Sequence, residues 1–297
     1  MPHPVADVFR QAAVLNADDD RRRGNVVYLE PGDEVIATGD IHGNRSALHR
    51  IRAHADLAPE APTRLILQEI IHGPVDPRTG HDRSIEVLIR AVRLKVAHPR
   101  QVVFLLGNHD VAELTGREVT RAGRPSCKLF AQGLQFAFGD AAAEVADALG
   151  EFLFSLPLAV MCPNGTFICH SLPSPQRLTE QCFEVLQRPY APDDLKRGGA
   201  VYEWTWGRQH TEELIDELAG RLDAAFFILG HVHSPEGYAR VGRRAITLAC
   251  DHEHGCVMRF SADRPLNDAA TERAIIPVAA LQPAQAAKPA RPGWREM

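Results

Sequence analysis

The most constraining feature of the chain is residues 39–44, Gly-Asp-Ile-His-Gly-Asn, which follow a short apolar run. The run, residues 35–38, predicts a buried strand that ends in a glycine-bounded turn. Residues 45–57 then have helical spacing, which predicts a helix directly after the turn. We therefore expect Asp40 and His42 at the carboxyl end of a strand, where open α/β sheets bind ligands. A carboxylate oxygen and an imidazole nitrogen together suit Zn, Mn or Fe, although an ordinary Gly-Asp turn explains these two residues equally well.

The order of strand, polar turn and helix recurs along the chain. Residues 65–67 and 101–106 read as strands, and residues 84–98 read as a helix with regularly spaced apolar residues. This alternation predicts the α/β fold class with a mainly parallel sheet. Residues 111–158 differ, because their apolar periodicity is helical throughout, and we interpret them as a helical insertion packed beside the site.

Length, charge and cysteine content limit the function classes. The 297 residues, 45% of them hydrophobic, predict one large domain over residues 1–280, followed by a disordered tail, 281–297, rich in Ala, Pro, Gln and Arg. With 33 Lys and Arg against 38 Asp and Glu, no nucleic-acid partner is expected. The absence of an apolar run of about 20 residues predicts no membrane partner. No signal segment is recognised at the amino terminus, and six cysteines without a CxxC pair predict free thiols in a reducing cytoplasm.

Residues of metal-ligand type follow one predicted strand after another. Each of them alone is equally well explained as a turn residue or as a hydrogen-bonded core histidine. Their recurrence favours a shared site, because buried apolar strands do not need such residues at their ends. The set comprises Asp40, His42, Glu69, Asn108, His109, His170, His231 and His233. His252 and His254 also follow a strand and are peripheral candidates.

These residues, taken in order, resemble the motifs of the calcineurin-like metallophosphoesterase superfamily. The matching segments are Gly39-Asp40-x-His42-Gly43, Gly107-Asn108-His109-Asp110, His170 and Gly230-His231-x-His233. The motif style is most similar to the branch of serine/threonine protein phosphatases and bacterial diadenosine tetraphosphatases. The resemblance covers residues 34–251 and implies a four-layer αββα sandwich, two sheets between helices, with a two-metal site at the strand ends.

The resemblance also implies a role for each site residue. One metal ion would be held by Asp40, His42 and His233, and the other by Asn108, His170 and His231, with Glu69 in place of the bridging aspartate. His109 would protonate the leaving group, oriented by Asp110 or another carboxylate. The implied reaction is hydrolysis of a phosphate ester, on a phosphorylated protein or small molecule, by a hydroxide that two divalent ions (Mn, Fe or Zn) activate.

The second motif departs from the family pattern Gly-Asp-x-x-Asp-Arg-Gly, since residues 68–74 read Gln-Glu-Ile-Ile-His-Gly-Pro. Glu69 keeps a bridging carboxylate but adds a methylene, and His72 stands where an aspartate would hold the catalytic histidine. The phosphate-binding arginine is missing there. Asp82-Arg83 has the right residue types and could loop back into the site. Arg197 and Arg208 are further candidates for substrate binding, although surface charge explains them equally well.

Two classes of function therefore remain open. The first is a metal-dependent phosphoesterase, which the Asn108-His109 pair favours. The second is a metal-binding or phosphoryl-binding module with weakened catalysis, which the altered residues 68–74 favour. Hydrolysis of a generic aryl phosphate in the presence of Mn would discriminate between them.

Overall fold

The structure is a computed structural model that describes residues 3–284. Its helices in chain order are α1 (Pro4–Ala17), α2 (Arg45–His54), α3 (Ser84–Ala97), α4 (Asn108–Thr115), α5 (Ser126–Phe138), α6 (Ala142–Phe154), α7 (Glu180–Gln187), α8 (Ala200–Trp206), α9 (Glu212–Leu222) and α10 (Asp268–Ala274). Its strands are β1 (Arg22–Arg23), β2 (Val26–Tyr28), β3 (Glu34–Asp40), β4 (Thr63–Gln68), β5 (Val102–Leu105), β6 (Thr120–Arg121), β7 (Arg124–Pro125), β8 (Ala159–Met161), β9 (Thr166–Cys169), β10 (Phe226–Leu229), β11 (Tyr238–Val241), β12 (Ala245–Leu248), β13 (Cys256–Ser261) and β14 (Ile275–Pro277).

The strands form two larger sheets and one small hairpin. The seven-stranded sheet has the order β1-β2-β8-β9-β10-β12-β11, the five-stranded sheet has the order β14-β13-β3-β4-β5, and β6 pairs with β7 alone. The prediction of a mainly parallel sheet is wrong for the edges. The central strands β3-β4-β5 and β9-β10-β12 are parallel, and β2 pairs parallel with β8. The pairs β3-β13, β13-β14, β11-β12, β8-β9 and β1-β2 are antiparallel.

The two sheets pack face to face, with helices on their outer surfaces. One apolar cluster lies between the sheets and contains Val35, Ile66 and Val103 from one sheet with Ile168 and Ile228 from the other. The residues that alternate with these point into a second cluster shared with the helices, among them Ile36, Leu65 and Phe227. Because both faces of the central strands are covered, these strands contain continuous apolar runs, such as residues 35–37 of β3 and 65–67 of β4. The four-layer αββα prediction is confirmed.

The segment predicted as a helical insertion, residues 111–158, is mostly helical. Its helix α6 packs against α1, where the rings of Phe9 and Phe152 are 5.8 Å apart. The segment also contains the β6-β7 hairpin, which helical periodicity does not reveal. Residues 172–199 contain α7, whose Val185 is fully buried.

The first four residues of the predicted tail, 281–284, lie within the part of the chain that the structure describes. Leu281 is buried, and the Ala284 N–H donates a hydrogen bond of 2.7 Å to Ala53 O. The remainder of the predicted tail, residues 285–297, lies outside the described residues. Within residues 3–284, none of the helices is both long enough and apolar enough to span a bilayer.

Candidate metal centre

The carboxyl ends of strands from both sheets meet at one edge of the sandwich. Asp40 is the last residue of β3, and Glu69 directly follows β4. Asn108 begins α4 after β5, while His170 and His231 follow β9 and β10 of the other sheet. The recurrent pattern in the sequence therefore brings residues of two sheets into one buried cluster.

Glu69 lies at the centre of this cluster. Its Oε2 atom is 3.5 Å from His42 Nε2, and its Oε1 atom is 3.4 Å from His170 Nε2. The backbone N–H of His109 donates a hydrogen bond of 2.6 Å to Oε1. The carboxylate is thus held from one side, and each of its oxygens faces a different imidazole.

Asp40 and Asn108 occupy the two ends of the cluster. Asp40 Oδ2 lies 3.8 Å from His42 Nε2, and Asp40 Oδ1 accepts a hydrogen bond of 3.0 Å from the His231 backbone N–H. Asn108 Oδ1 is 3.1 Å from His170 Nε2 and 2.8 Å from His231 Nδ1. Oxygen and nitrogen donors therefore alternate along the cluster.

The turns that present these side chains are backbone outliers. His42, Glu69, His72 and His231 have φ values of 41°, 35°, 59° and 65°. Residues other than glycine rarely adopt this left-handed region, and each such residue costs about 1–3 kcal/mol. Four of them around one cluster are characteristic of a functional site, where the surrounding structure enforces the strain.

Two glycines let the backbone approach the carboxylates closely. A Cβ atom at Gly107 would lie 2.4 Å from Glu69 Oε1, and one at Gly230 would lie 2.6 Å from Asp40 Oδ1. Both positions therefore exclude any side chain, which explains the glycine before Asn108 and the glycine before His231.

The donor set fits a pair of cations. Two sets of three side chains each place their donor atoms within 4.8 Å of one another, and Glu69 belongs to both. One set is His42, Glu69 and His109, and the other is Asp40, Glu69 and His170. Glu69 Oε2 and His231 Nε2 are buried and have no hydrogen-bond partner within residues 3–284. Buried polar atoms are rarely left without a hydrogen-bond partner. These two unpaired atoms are therefore suited to bind a metal ion.

The ionisation of the cluster agrees with this. Burial raises the pKa of Asp40 to about 7, and burial together with the charges of Asp40 and Asp110 raises the pKa of Glu69. Burial lowers the pKa of His42 to about 3 and also lowers the pKa values of His170 and His231. The imidazoles are thus in the neutral form that binds metals, while the buried carboxylates lack a compensating positive charge.

Comparison with known proteins explains this arrangement. The family model described as calcineurin-like phosphoesterase matches residues 34–235. The chain belongs to this family. It is therefore a metallophosphoesterase, a phosphoric ester hydrolase, and the family implies divalent metal ions and phosphorylated substrates. A comparison with curated protein sequences found no significant match.

Solved structures share the fold of this metallophosphoesterase. A protein serine/threonine phosphatase from Saccharomyces cerevisiae, with similarity to human phosphatase PP5, is similar with a TM-score of 0.68 and 17% identity. That similarity covers 92% of this chain and 87% of the yeast chain. The cold-active protein-tyrosine phosphatase of a psychrophilic Shewanella species has a TM-score of 0.53 and 16% identity, covering 84% of this chain and 80% of its own.

The imidazole of His109 is held by a histidine. His72 Nδ1 lies 2.8 Å from His109 Nδ1, and His72 Nε2 lies 3.2 Å from Glu113 Oε2. Burial, followed by the charges of His42 and His72, lowers the pKa of His109. The carboxylate of Asp110 instead accepts a hydrogen bond of 2.9 Å from the Gly107 backbone N–H, so it caps α4 and leaves the His109 ring to His72. The sequence indicated that His72 could contact His109, because His72 stands in the altered motif. No sequence pattern indicated that Glu113 would contact His72.

His233 lies apart from the main cluster. Its donor atom groups with those of Asp251 and His252, and its ring is 5.2 Å from the His252 ring. His233 is exposed, whereas Asp40 and His42 are buried. The structure thus places the predicted peripheral residue His252 beside His233 and separates both from the donor sets that share Glu69.

Of the predicted substrate-binding arginines, Arg83 is engaged elsewhere. Its guanidinium pairs with Glu86 in the first turn of α3 and with Asp76, 3.4 Å away. Asp82 is buried and accepts a hydrogen bond of 2.7 Å from the Ser84 backbone N–H. Arg197 and Arg208 instead line a surface cavity of about 560 Å³.

The structure also reveals an arginine that the sequence analysis missed. Arg121, at the end of β6, forms an ion pair of 2.5 Å with Asp251. Its positive charge opposes the rise that burial causes in the pKa values of Asp40 and Glu69, and it adds to the fall that burial causes in the pKa of His109. The Asp251 segment is joined to the site, because Cys250 N–H donates a hydrogen bond of 2.9 Å to Asp40 O. No motif surrounds Arg121, so only its place in the fold identifies it.

Proposed function

We propose that this metallophosphoesterase hydrolyses phosphate monoesters at a binuclear centre of two divalent transition-metal ions, Mn, Fe or Zn. The observation that carries the proposal is the position of Glu69, which belongs to both donor sets and has one oxygen directed at each. Carboxylate, amide and imidazole ligands together are typical of such ions. When bound, two such ions would neutralise a phosphoryl group and supply an activated water as nucleophile.

The proposed ligand roles follow the family motifs, with Glu69 common to both donor sets. Asp40, His42 and Glu69 would hold one ion, and Glu69, Asn108, His170 and His231 the other. His233 stays a candidate ligand of the first ion, since its exposed side chain can change rotamer. The backbone N–H of His109 fixes the bridging carboxylate, and Asp110 fixes the turn that carries both Asn108 and His109.

His109 would supply the proton that the leaving oxygen needs. Histidine is suited to this task near neutral pH, and a general acid contributes about 10²–10⁴-fold to the rate. His72 would keep the His109 ring in the orientation required for this transfer. Arg121 and Arg208 are proposed to bind the phosphoryl group. Arg121 pairs with Asp251, which is next to Cys250, and the Cys250 N–H donates a hydrogen bond to Asp40 O. Arg208 follows Gly207, whose carbonyl oxygen accepts a hydrogen bond from Ser171, the neighbour of His170.

The alternative of a weakened binding module rests on the altered second motif. The side chain of Gln68 is accommodated without disturbing the centre, because Nε2 donates a hydrogen bond of 2.9 Å to Thr38 O and Oε1 lies 3.3 Å from His170 Nδ1. Glu69 also reaches both donor sets despite its extra methylene. Both observations favour a working hydrolase.

The substrate is proposed to be a phosphorylated protein or a nucleotide-type compound. The two solved phosphatases of similar fold act, according to their names, on phosphorylated serine, threonine or tyrosine. A reducing, cytoplasmic location belongs to the same proposal, and the six free cysteines support it.

The proposal is tested by metal analysis combined with hydrolysis assays on purified protein. We expect about two transition-metal ions per chain and Mn-stimulated hydrolysis of an aryl phosphate. His109→Ala should lower turnover of an alkyl phosphate by about 10²–10⁴-fold while retaining metal, since the acid is not a required ligand. Arg93→Ala, an exposed change on α3, is the matched control. Metal-replete protein that hydrolyses neither ester would overturn the proposal.

A further inference from the structure

A groove with basic walls begins beside the metal centre. It consists of two cavities of about 560 and 440 Å³, which share Arg197, Tyr202 and Trp206 in their walls. The larger cavity also contains Arg177 and Arg208, and the smaller cavity adds the apolar residues Val111 and Leu195. We call this feature the basic groove.

The arginines of the basic groove carry unneutralised charge. Within residues 3–284, no carboxylate oxygen lies within 4.0 Å of the guanidinium of Arg177, Arg197 or Arg208, whereas the nearby Arg188 and Arg221 each form an ion pair. The wall carboxyl of Glu203 is buried, which raises its pKa, and the charges of Arg177 and Arg197 act against that rise. Among the described residues that line the two cavities, Glu203 is the one carboxyl against the guanidinium groups of Arg177, Arg197 and Arg208, so the walls keep a net positive charge.

The turn that carries Arg208 is bonded to the turn that carries the ligand candidate His170. Ser171 Oγ donates a hydrogen bond of 2.5 Å to Gly207 O and lies 3.1 Å from His210 Nε2. A Cβ atom at Gly207 would lie 1.7 Å from Leu172 O, so the two backbones are in direct contact. A ligand held at the metal centre can therefore continue into the basic groove without crossing another element.

The aromatic side chains of the basic groove are already packed against each other. The rings of Tyr202 and Trp206 are stacked, with centroids 5.1 Å apart and planes inclined by 14°. The Arg117 guanidinium lies 5.3 Å from both ring centroids and donates a hydrogen bond of 3.0 Å to Tyr202 Oη. The ring faces of Tyr202 and Trp206 are covered by each other and by the Arg117 guanidinium. A nucleobase therefore has no free ring face to stack on, whereas the ring edges can make apolar contacts with a ligand.

We propose that the basic groove binds the polypeptide on one side of a phosphorylated residue and selects acidic side chains there. This inference rests on the proposed function and names the substrate class of the same site. An arginine guanidinium can donate two parallel hydrogen bonds to one carboxylate. A groove whose walls combine guanidinium groups with apolar side chains fits an extended chain that carries both acidic and apolar residues.

The test compares two phosphoserine peptides that differ only in two flanking residues, Glu-Glu or Gln-Gln. Exposed ion pairs contribute about 0.2–1 kcal/mol each, so kcat/KM should be about 10-fold higher for the acidic peptide at low ionic strength. Raising the salt concentration to about 1 M should reduce this ratio, because exposed charges are then screened within about 3 Å. Both esters have the same leaving group, so a defect in chemistry affects both equally.

The variant Arg177→Glu/Arg197→Glu should reverse the preference, so that a Lys-Lys peptide becomes better than the Glu-Glu peptide. The control Arg93→Glu, which makes the same charge change on the exposed surface of α3, should keep the original ratio. A merely structural role of the two arginines would lower kcat/KM for all peptides and would not reverse their order.

Binding of the same peptides, followed by fluorescence anisotropy, separates this inference from the proposed function. If no ester is hydrolysed but the acidic peptide still binds about 10-fold more tightly, the hydrolase proposal fails and the groove proposal stands. Equal binding and equal hydrolysis of the acidic and neutral peptides would overturn the groove proposal. It would also be overturned if the double variant lost hydrolysis of a nucleoside triphosphate while the peptide ratio did not change.

Discussion

His72 and His109 share a hydrogen bond of 2.8 Å between their Nδ1 atoms. With Glu113 accepting from His72 Nε2, 3.2 Å away, a neutral His72 must accept at Nδ1, and His109 must donate. The free ring nitrogen of His109 is then Nε2, the atom available to a leaving group. A histidine backed by a glutamate thus takes the place in which the resembling enzymes have an aspartate.

This arrangement predicts a distinct response to substitution. His72→Ala should lower kcat by about 10–100-fold, the usual loss when a supporting hydrogen-bond partner is removed. His72→Asp should restore much of the rate, because a carboxylate can accept the His109 Nδ1–H. The measurement is kcat for an alkyl phosphate and for an activated aryl phosphate. A loss of equal size for both esters would show that His72 only supports the fold.

Glu69 is predicted to hold both metal ions. Glu69→Gln should lower the metal content toward zero and abolish most activity, because a neutral amide cannot bridge two cations as a carboxylate does. Glu69→Asp should also be less active than the wild type, since the backbone here is adapted to a side chain that already reaches both donor sets. Elemental analysis and aryl phosphate hydrolysis measure both effects.

Glu113→Gln is the control for this series, because it removes a carboxylate close to the site but outside the two donor sets that share Glu69. It should retain both ions. If Glu69→Gln kept its full metal content, the bridging carboxylate would have to come from another residue.

Arg121 is predicted to contact the phosphoryl group of the substrate. Its guanidinium has five N–H donors, and the ion pair with Asp251 leaves others available. Hydrogen bonds to charged groups contribute about 1.5–3 kcal/mol, so Arg121→Ala should lower kcat/KM by about 10–100-fold. Arg124→Ala changes an exposed arginine on the paired strand of the same hairpin and should have little effect. Equal kcat/KM values for the two variants would argue against the contact.

Lys95 gives the protein a pH-dependent stability that is unrelated to the site. Its side chain is 1% exposed, and burial lowers its pKa to about 8, while Nζ donates a hydrogen bond of 2.7 Å to Pro99 O. Between about pH 8 and the ordinary lysine pKa of about 10.4, the unfolded chain binds more protons than the folded chain. The free energy of unfolding should therefore rise with pH across this window.

Replacing Lys95 should remove the free-energy cost of burying its ammonium group. It should also remove the contribution of Lys95 to the pH dependence of the free energy of unfolding. Lys95→Met should raise the free energy of unfolding at pH 7 by about 1–3 kcal/mol, because no buried ammonium has to be desolvated. Urea denaturation at pH 7 and at pH 10 measures the change. Lys128→Met, at an exposed position, should leave the pH dependence of the wild type intact. A stability of the Lys95 variant below that of the wild type at pH 7 would contradict this account.

The sequence predicted the central part of the site because parallel strands carry their terminal residues to a common edge. Asp40, Glu69, Asn108, His170 and His231 each follow a short apolar run, and no long-range information was needed to expect them together. The antiparallel edge strands were not foreseen, since a strand's local pattern does not specify the direction of its neighbour. Of the residues that support His109, His72 could be predicted because it lies in the motif. Glu113, one helical turn after His109 in α4, could not.

The arginines show the limit of reasoning from sequence proximity. Arg83 follows the altered motif closely in the chain, yet a local pair with Glu86, three residues later, holds it at the start of α3. Arg121 lies in a hairpin of six residues within a helical segment, where no periodicity signals a strand. Its place near the site depends on the pairing with Asp251, a contact across 130 residues.

The Gln68 side chain connects the two sheets at the site, since its amide bonds Thr38 in one sheet and approaches His170, which follows a strand of the other. The hydrogen bond from His231 N–H to Asp40 makes a second such connection. The separation of the donor groups is therefore set by the thickness of the apolar layer between the sheets. A change of side-chain volume at Ile66 or Ile228 would change the distance between the two sheets, and with it the distance between the donor groups of the metal centre. Catalysis would then change although no ligand residue is replaced.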